Sequence, residues 1–318
     1  MTDRELTDLL DRTVGSIWRD LRSAFEAARG LIAVDLLARL IGERRVNDAL
    51  AAVRLEEVDN ALARLQTQLG PVREAGWQAV VDGLPRELRS DPLLRVTLGA
   101  HALQEPTALD AIRRADLARI QGISRETQEA IRAVLLEGVQ RGTPPKVLAK
   151  QLRTMVGLTT RQAADVARYR GRLEAEGRKP DQVERMTAKY ATRRLNERTL
   201  NIAGTEVARA QGEARYAQMV RLVASGKLKM DEWEQEWVTA ADERVCPLCG
   251  PLHGVRVPLL APFQTANGPA FHTPIHPGPC RCIIRIVPKG FRAGERPSPA
   301  RDAALARARV LAARRKGL

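Results

Sequence analysis

Cysteine and histidine are the residues here whose types and spacing could do chemistry. All four cysteines and three of the four histidines fall in two stretches, CPLCGPLHG at 246–254 and HTPIHPGPCRC at 272–282. Cys246-Pro-Leu-Cys249-Gly is a C-x2-C knuckle. Two thiolates at that spacing can turn toward one ion, and the glycine that follows permits the tight backbone. His276, Cys280 and Cys282 offer the remaining ligands. Residues two apart in a strand share a face, so Cys280 and Cys282 can both look at the ion. Structural zinc is tetrahedral and takes four cysteines, or three cysteines and one histidine. Five candidates thus compete for four places. The four cysteines are the first reading, and His276 in place of one of the second pair is the alternative. Packed reduced thiols, or a disulfide formed outside the cell, are the metal-free readings of the same residues.

A catalytic zinc would keep an open position and need a carboxylate nearby as base. The zinc-deaminase pattern needs H-x-E upstream of P-C-x-x-C, and no H-x-E occurs in this sequence. A His-and-zinc nuclease would use His253 or His272 to activate water, but neither has an acidic partner at a useful spacing. Both read as surface or turn residues in Gly/Pro-rich loops, and His101 is isolated. The expected site is therefore a closed, structural Zn2+ site with no catalytic residue.

Such a site needs elements to hold it. Trp233, Trp237 and Val238 predict a strand. RCIIRIVP alternates Cys282, Ile284 and Ile286 against Arg281, Ile283 and Arg285, as a half-buried strand does. Between them Pro and Gly are frequent, which predicts a β-ribbon with a long irregular loop. A unit with so little core needs a staple.

The rest of the chain reads as helix. Residues 2–41 predict one amphipathic helix through Leu6, Leu10, Val14, Ile17, Leu21, Phe25, Ala28 and Ile32. A second stripe runs through Val46, Leu50, Val53, Val58, Leu62, Leu65 and Leu69, with Gly70-Pro71 as its stop. The pair, residues 1–70, predicts a helical hairpin or coiled coil that could self-associate. Residues 71–107, cut by Pro85, Pro92 and Pro106, read as an irregular helical connector. Residues 108–230 read as a helical core. Ser124 is a candidate N-cap for a stripe through Ile131, Val134 and Leu135, and Thr143 or Thr159 for the helices after it. Residues 171–186 read as a polar connector, before a long helix from Val183 to Ser225 with Gly204 and Gly212 inside it. Each of those glycines marks close packing or a break. Residues 231–290 are the Cys/His module, and 291–318 a basic tail. The fold class predicted is mainly α, with long amphipathic helices, a helical core and a small zinc-stapled β-ribbon.

Composition agrees. Aromatics are only 3% of 318 residues, which suits packed helices better than a β-sandwich. No apolar run is long enough to cross a bilayer, and the N-terminus, MTDRELTDLLDR, has no signal-peptide apolar region. A cytoplasmic setting is expected, where clustered cysteines are more often a metal site than disulfides. The net charge of +14 implies an acidic partner such as nucleic acid. From Pro288 to Leu318 nine Lys/Arg face only Glu295 and Asp302. Arg307, Arg309, Arg314, Arg315 and Lys316 are the contact candidates in that tail. The stretch 144–170, with a turn at Gly157 and Arg161, Arg168 and Arg170 on its second helix, also has the outline of a DNA-binding helix-turn-helix.

Three segments carry a resemblance. LNERTLNIAGTEVARAQGEARYAQ, WVTAADERVCPLCGPLHG and HPGPCRC resemble the phage Mu F-type head morphogenesis proteins, minor capsid proteins of tailed phages. The family motif is a Thr-Glu pair in a long helix, a D-E-R-x-C-x-x-C turn, a Gly shortly after and a closing H-P-x-C-R-C. Here these are Thr205-Glu206, Asp242-Glu243-Arg244, Gly254, and His276 to Cys282. The closing motif has one residue more than usual, which favours the cysteines over His276 as ligands. The resemblance covers roughly 110–290. It implies a minor head protein acting in procapsid assembly, with no agreed enzymatic activity. Its partners would be the portal or the major capsid protein, with packaged DNA alongside. Its place would be the procapsid or virion head, assembled in the bacterial cytoplasm. The competing expectation is a sequence-tolerant DNA-binding protein that uses the tail and the 144–170 hairpin. The zinc nuclease comes third.

Overall fold

The computed structural model describes residues 3–53, 55–84, 106–240, 242–243, 245–278 and 280–290, with the backbone alone for 3–4 and 106–121. The basic tail, His101 and Arg244 lie outside the described residues. The helices are α1 Asp3–Leu31, α2 Val34–Gly42, α3 Val46–Ala51, α4 Glu56–Gln68, α5 Gly70–Asp82, α6 Pro106–Gln140, α7 Pro145–Met155, α8 Thr160–Ala175 and α9 Pro180–Ala224. The strands are β1 Trp233–Val238, β2 Arg256–Pro258, β3 Phe263–Thr265, β4 Gly268–Ala270 and β5 Ile283–Pro288. The protein is thus mainly helical with a small antiparallel sheet, as its composition and periodicity predict. Among the described residues no helix is long and apolar enough to cross a membrane.

Several boundaries differ from the sequence reading. The first stripe is two helices, because the chain breaks after Gly30-Leu31 at Ile32-Ala33. A glycine so near the end weakens the helix, and the break lets α2 bury Leu37, Leu40 and Ile41. The second stripe is also split, into α3 and α4. Gly70-Pro71 starts a helix instead of stopping one. Proline in the first turn gives up only an N–H that would have no partner there, so α5 runs on to bury Val72, Trp77 and Val80. Ser124 caps nothing. It lies inside α6, and its hydroxyl donates to Asp59 Oδ1 at 2.9 Å. The cap of α7 is Pro144, not Thr143. Thr159 does cap α8, in a reciprocal box with Gln162.

The chain forms two compact units, each assembled from separate stretches of sequence. One comprises residues 16–67 and 111–200. Its core takes in Ile17, Leu21, Phe25, Leu62, Leu65, Leu135, Leu148, Leu152, Val166 and Leu195. At its centre sits a buried cation. Arg198, only 5% exposed, donates to Ile123 O at 3.1 Å, Thr127 Oγ1 at 2.9 Å, Gly157 O at 2.8 Å and Glu126 Oε2 at 3.0 Å. Burial lowers its pKa, and Glu126 opposes that shift. The planar guanidinium fork suits several fixed acceptors at once. Gly157 has φ +85°, and a Cβ there would lie within 3 Å of Leu195 and Phe25. The α7–α8 turn that sequence reading placed at Gly157 is therefore pinned by Arg198 from α9.

The other unit comprises residues 1–15, 68–110 and 201–318. Its sheet has the order β2-β1-β5, with β3-β4 as a separate hairpin. The expected two-stranded ribbon thus has a third strand. It also has more core than predicted: Trp233, Trp237, Ile284 and Phe263 cluster with Met219 and Leu222 of α9 and Val80 of α5. Cys249 and Cys282 belong to that cluster. Within the sheet, Glu236 of β1 lies opposite Arg256 of β2 and Arg285 of β5, and pairs with both.

Arg198→Met keeps the length of the side chain but takes a charged donor away from Gly157 O, Thr127 Oγ1 and Ile123 O. We expect it to lower stability by about 3 kcal/mol in denaturant unfolding of the full chain.

Candidate metal centre

The first half of the site is made by β1 and the turn that follows it. Val245 N–H donates to Asp242 O at 3.1 Å, which starts the turn. The Cys249 N–H then points back to Cys246, 3.2 Å from its carbonyl and 3.3 Å from its sulfur. Gly250 N–H also meets Cys246 O at 3.0 Å. A short 3-10 turn, Gly250–Leu252, carries the chain to Gly254. Gly254 has φ +77°, and its N–H donates to Trp237 O at 2.8 Å. This left-handed residue sends the chain back along β1, which accounts for the glycine of the motif.

The second half is a loop held by α9. Thr205 Oγ1 donates to Asn201 O at 2.6 Å and accepts the Gly278 N–H, also at 2.6 Å. Two helical turns further on, a Cβ at Gly212 would sit 2.2 Å from Thr273 O. Thr205 and Gly212 therefore present one face of α9 to the loop, one by hydrogen bonding and one by having no side chain. Arg281 Nη2 reaches Asp242 at 2.5 and 2.6 Å. That ion pair ties the D-E-R-x-C turn to the closing motif. Asp242 thus has a geometric role that spacing alone did not supply.

The two halves meet at Cys249. Donor atoms of Cys246, Cys249 and His276 lie within 4.8 Å of one another, and so do those of Cys249, Cys280 and Cys282. All five candidates read from the sequence are therefore brought together. Cys280 and Cys282 precede β5 rather than lie in it, and still converge. A small cavity of about 10 Å3 is lined by all five candidates together with Ala240, Val245 and Arg281. His276 Nε2 is 3.0 Å from Cys246 Sγ, and its Nδ1 is 2.9 Å from Pro277 O. A ring that donates Nδ1–H to the carbonyl leaves the Nε2 lone pair facing the sulfurs.

Electrostatics point the same way. Contact with Cys249 lowers Cys246 to about 5 and Cys280 to about 3. Cys249 itself is pushed up, first by its contact with Cys246. Cys282 is also pushed up: Cys249 favours its thiolate, but the bond to Cys280 and burial outweigh that. Burial lowers His276, but Pro277 O and the Cys246 and Cys280 sulfurs together outweigh it, so the ring is raised. Clustered sulfurs cannot all ionise unaided, because each thiolate disfavours charge on its neighbours. A soft divalent cation removes that conflict, because coordination deprotonates thiols outright. The donor set and its spacing fit Zn2+.

The other histidines stand apart. His253 Nδ1 is 2.8 Å from Thr239 Oγ1, and His272 Nδ1 is 3.0 Å from Thr273 O. Neither joins the donor cluster. Glu206 is buried beside Thr205 and lies 3.8 Å from Arg209. Sequence reasoning left the roles of Gly212 and Trp237 open. The seven-residue interval from Thr205 to Gly212 was the available signal for the first.

Residues 129–285 match the family model described as Phage Mu protein F like protein. The matched region is Mu F-like. It starts within α6 and ends in β5, so it takes in the capped α8, the Thr205–Gly212 face and every candidate ligand. The match supports what the motifs imply, a protein of phage head morphogenesis. No curated protein and no solved structure matches the chain.

Thr205→Val keeps the shape of the side chain and strands the buried Gly278 N–H. We expect a loss of about 1–3 kcal/mol in stability, read by denaturant unfolding, together with faster metal release to a chelator.

Proposed function

We propose that this Mu F-like chain is a minor head protein of a tailed phage. It acts in procapsid assembly at the portal or the inner face of the shell, without catalysis, and a structural Zn2+ closes its C-terminal module. The observation that carries the metal reading is Cys249, whose sulfur contacts those of Cys246, Cys280 and Cys282 at once. Four cysteines are the proposed ligand set, with His276 held against Cys246 from outside. Zinc would serve there as a cross-link between the turn after β1 and the loop before β5. The family match carries the head reading.

The surrounding residues suit such a role. The ligand loops are braced by Thr205, Gly212 and the Asp242–Arg281 pair, and among the described residues no carboxylate joins the donor cluster. His253 and His272 are engaged elsewhere, which weighs against the nuclease reading. Residues 1–70 supply helical surface for self-association, and the basic tail supplies charge suited to packaged DNA or an acidic face of the shell. DNA contact through α7–α8 has weaker support, because Arg168 pairs with Asp165 and Arg170 with Glu174.

Two experiments test this reading. Elemental analysis of the reduced, purified chain is expected to give one zinc per chain, lost in Cys249→Ser and kept in His276→Ala. Zinc-free native protein would overturn the metal reading. In cells assembling heads, the chain is expected to co-purify with the portal or the procapsid. Absence from both would overturn the head reading.

A further inference from the structure

Trp237 is fully buried in the C-terminal core, and its indole Nε1 makes no well-formed hydrogen bond there, with only the Cys282 sulfur close by. Buried donors are nearly always satisfied, so an orphan calls for a cause. The sheet register supplies one. Trp237 lies directly opposite Ile284. Continued by two residues, that register sets Cys282 diagonal to Trp237 on the same buried face, within reach of an aromatic ring. Cys282, Ile284 and Ile286 are all buried there.

Trp237 is also tightly held. Its ring packs edge-on against Phe263, with centroids 5.2 Å apart. Its backbone N–H donates to Val255 O at 3.0 Å, and its carbonyl accepts from Gly254 at 2.8 Å. One residue therefore grips the exit of the first half of the site while its ring faces the second. The Trp237 indole lies beside the Cys282 sulfur, within the same buried cluster.

We propose that the indole N–H of Trp237 donates a hydrogen bond to the Cys282 sulfur when that sulfur is a metal-bound thiolate, and so tightens the site. This rests on the zinc reading above. A thiol is a weak acceptor and a thiolate a strong one. Metal binding would thus turn the sulfur beside the indole N–H into the acceptor that this buried donor lacks. Trp237 is a positioning residue, not a ligand. Outer partners of metal ligands commonly set affinity by about 10–100-fold.

The test uses the full chain and two variants. In chelator competition, Trp237→Phe is expected to bind zinc about 10–100-fold more weakly while still taking one ion per chain at saturation. In the Co2+-loaded chain its sulfur-to-cobalt charge-transfer band is expected to move to longer wavelength, because the thiolate loses a stabilising donor. Phe263→Leu disturbs the same packing but keeps the N–H, so its band should stay at the native position. Native affinity and an unshifted band in Trp237→Phe would overturn the inference alone. A native chain that holds no zinc would overturn the metal reading and this inference together. Should Trp237→Phe not fold, the native chain loaded with 113Cd decides. Scalar coupling between the metal and the Trp237 indole proton supports the bond, and its absence overturns it.

Discussion

In the C-terminal unit, Thr273 O occupies the space that a Cβ at Gly212 would need. Much of the site depends on that approach. It brings the loop onto α9 so that Thr205 can accept the Gly278 N–H, and this sets where His276 and Cys280 begin. A larger residue at 212 would push the loop outward by more than a hydrogen bond can follow. Glycine inside a helix costs roughly 1 kcal/mol relative to alanine, so its use here means that contact outweighs propensity.

From that fixed loop the rest of the site follows by short links. Arg281 extends to Asp242, the knuckle closes on itself through the Cys249 N–H, and Gly254 returns the chain to Trp237. Each link is modest. Together they leave the sulfurs little freedom to spread apart, although burial disfavours their charge. These links hold the sulfurs together, and a bound cation would offset the repulsion among them. The Mu F-like region contains all of these links.

How much of this was legible in the sequence depends on the range of the interaction. The donors were legible because cysteine is rare and its spacing short. The strand containing Trp237 and the buried alternation before Pro288 were legible because period two is a local signal. Thr159 was legible as a cap because its partner is three residues away. The breaks at Ile32-Ala33 and after Ala51 were not, since apolar stripes on either side keep helical spacing across them. Pro71 misled because proline ends a helix or begins one depending on the turn it occupies. The contacts of Arg198 and Asp242 join residues 39 or more positions apart, and no local pattern encodes them. The motif did mark Thr205 and Asp242, but not what they touch.

The division of the chain has a consequence for the order of events during synthesis. The unit of residues 16–67 and 111–200 has all of its parts once Leu200 has left the ribosome. Val80 and Leu84 are made early but pack with Met219, Trp237 and Ile284, which emerge much later. For that interval their apolar surface waits for its partners, at a rate of about 5–20 residues per second. The nascent chain therefore carries one finished body and one sticky, half-built one until the strand that holds Ile284 arrives. That interval is when a chaperone, or an early encounter with another assembling chain, would have most to grip.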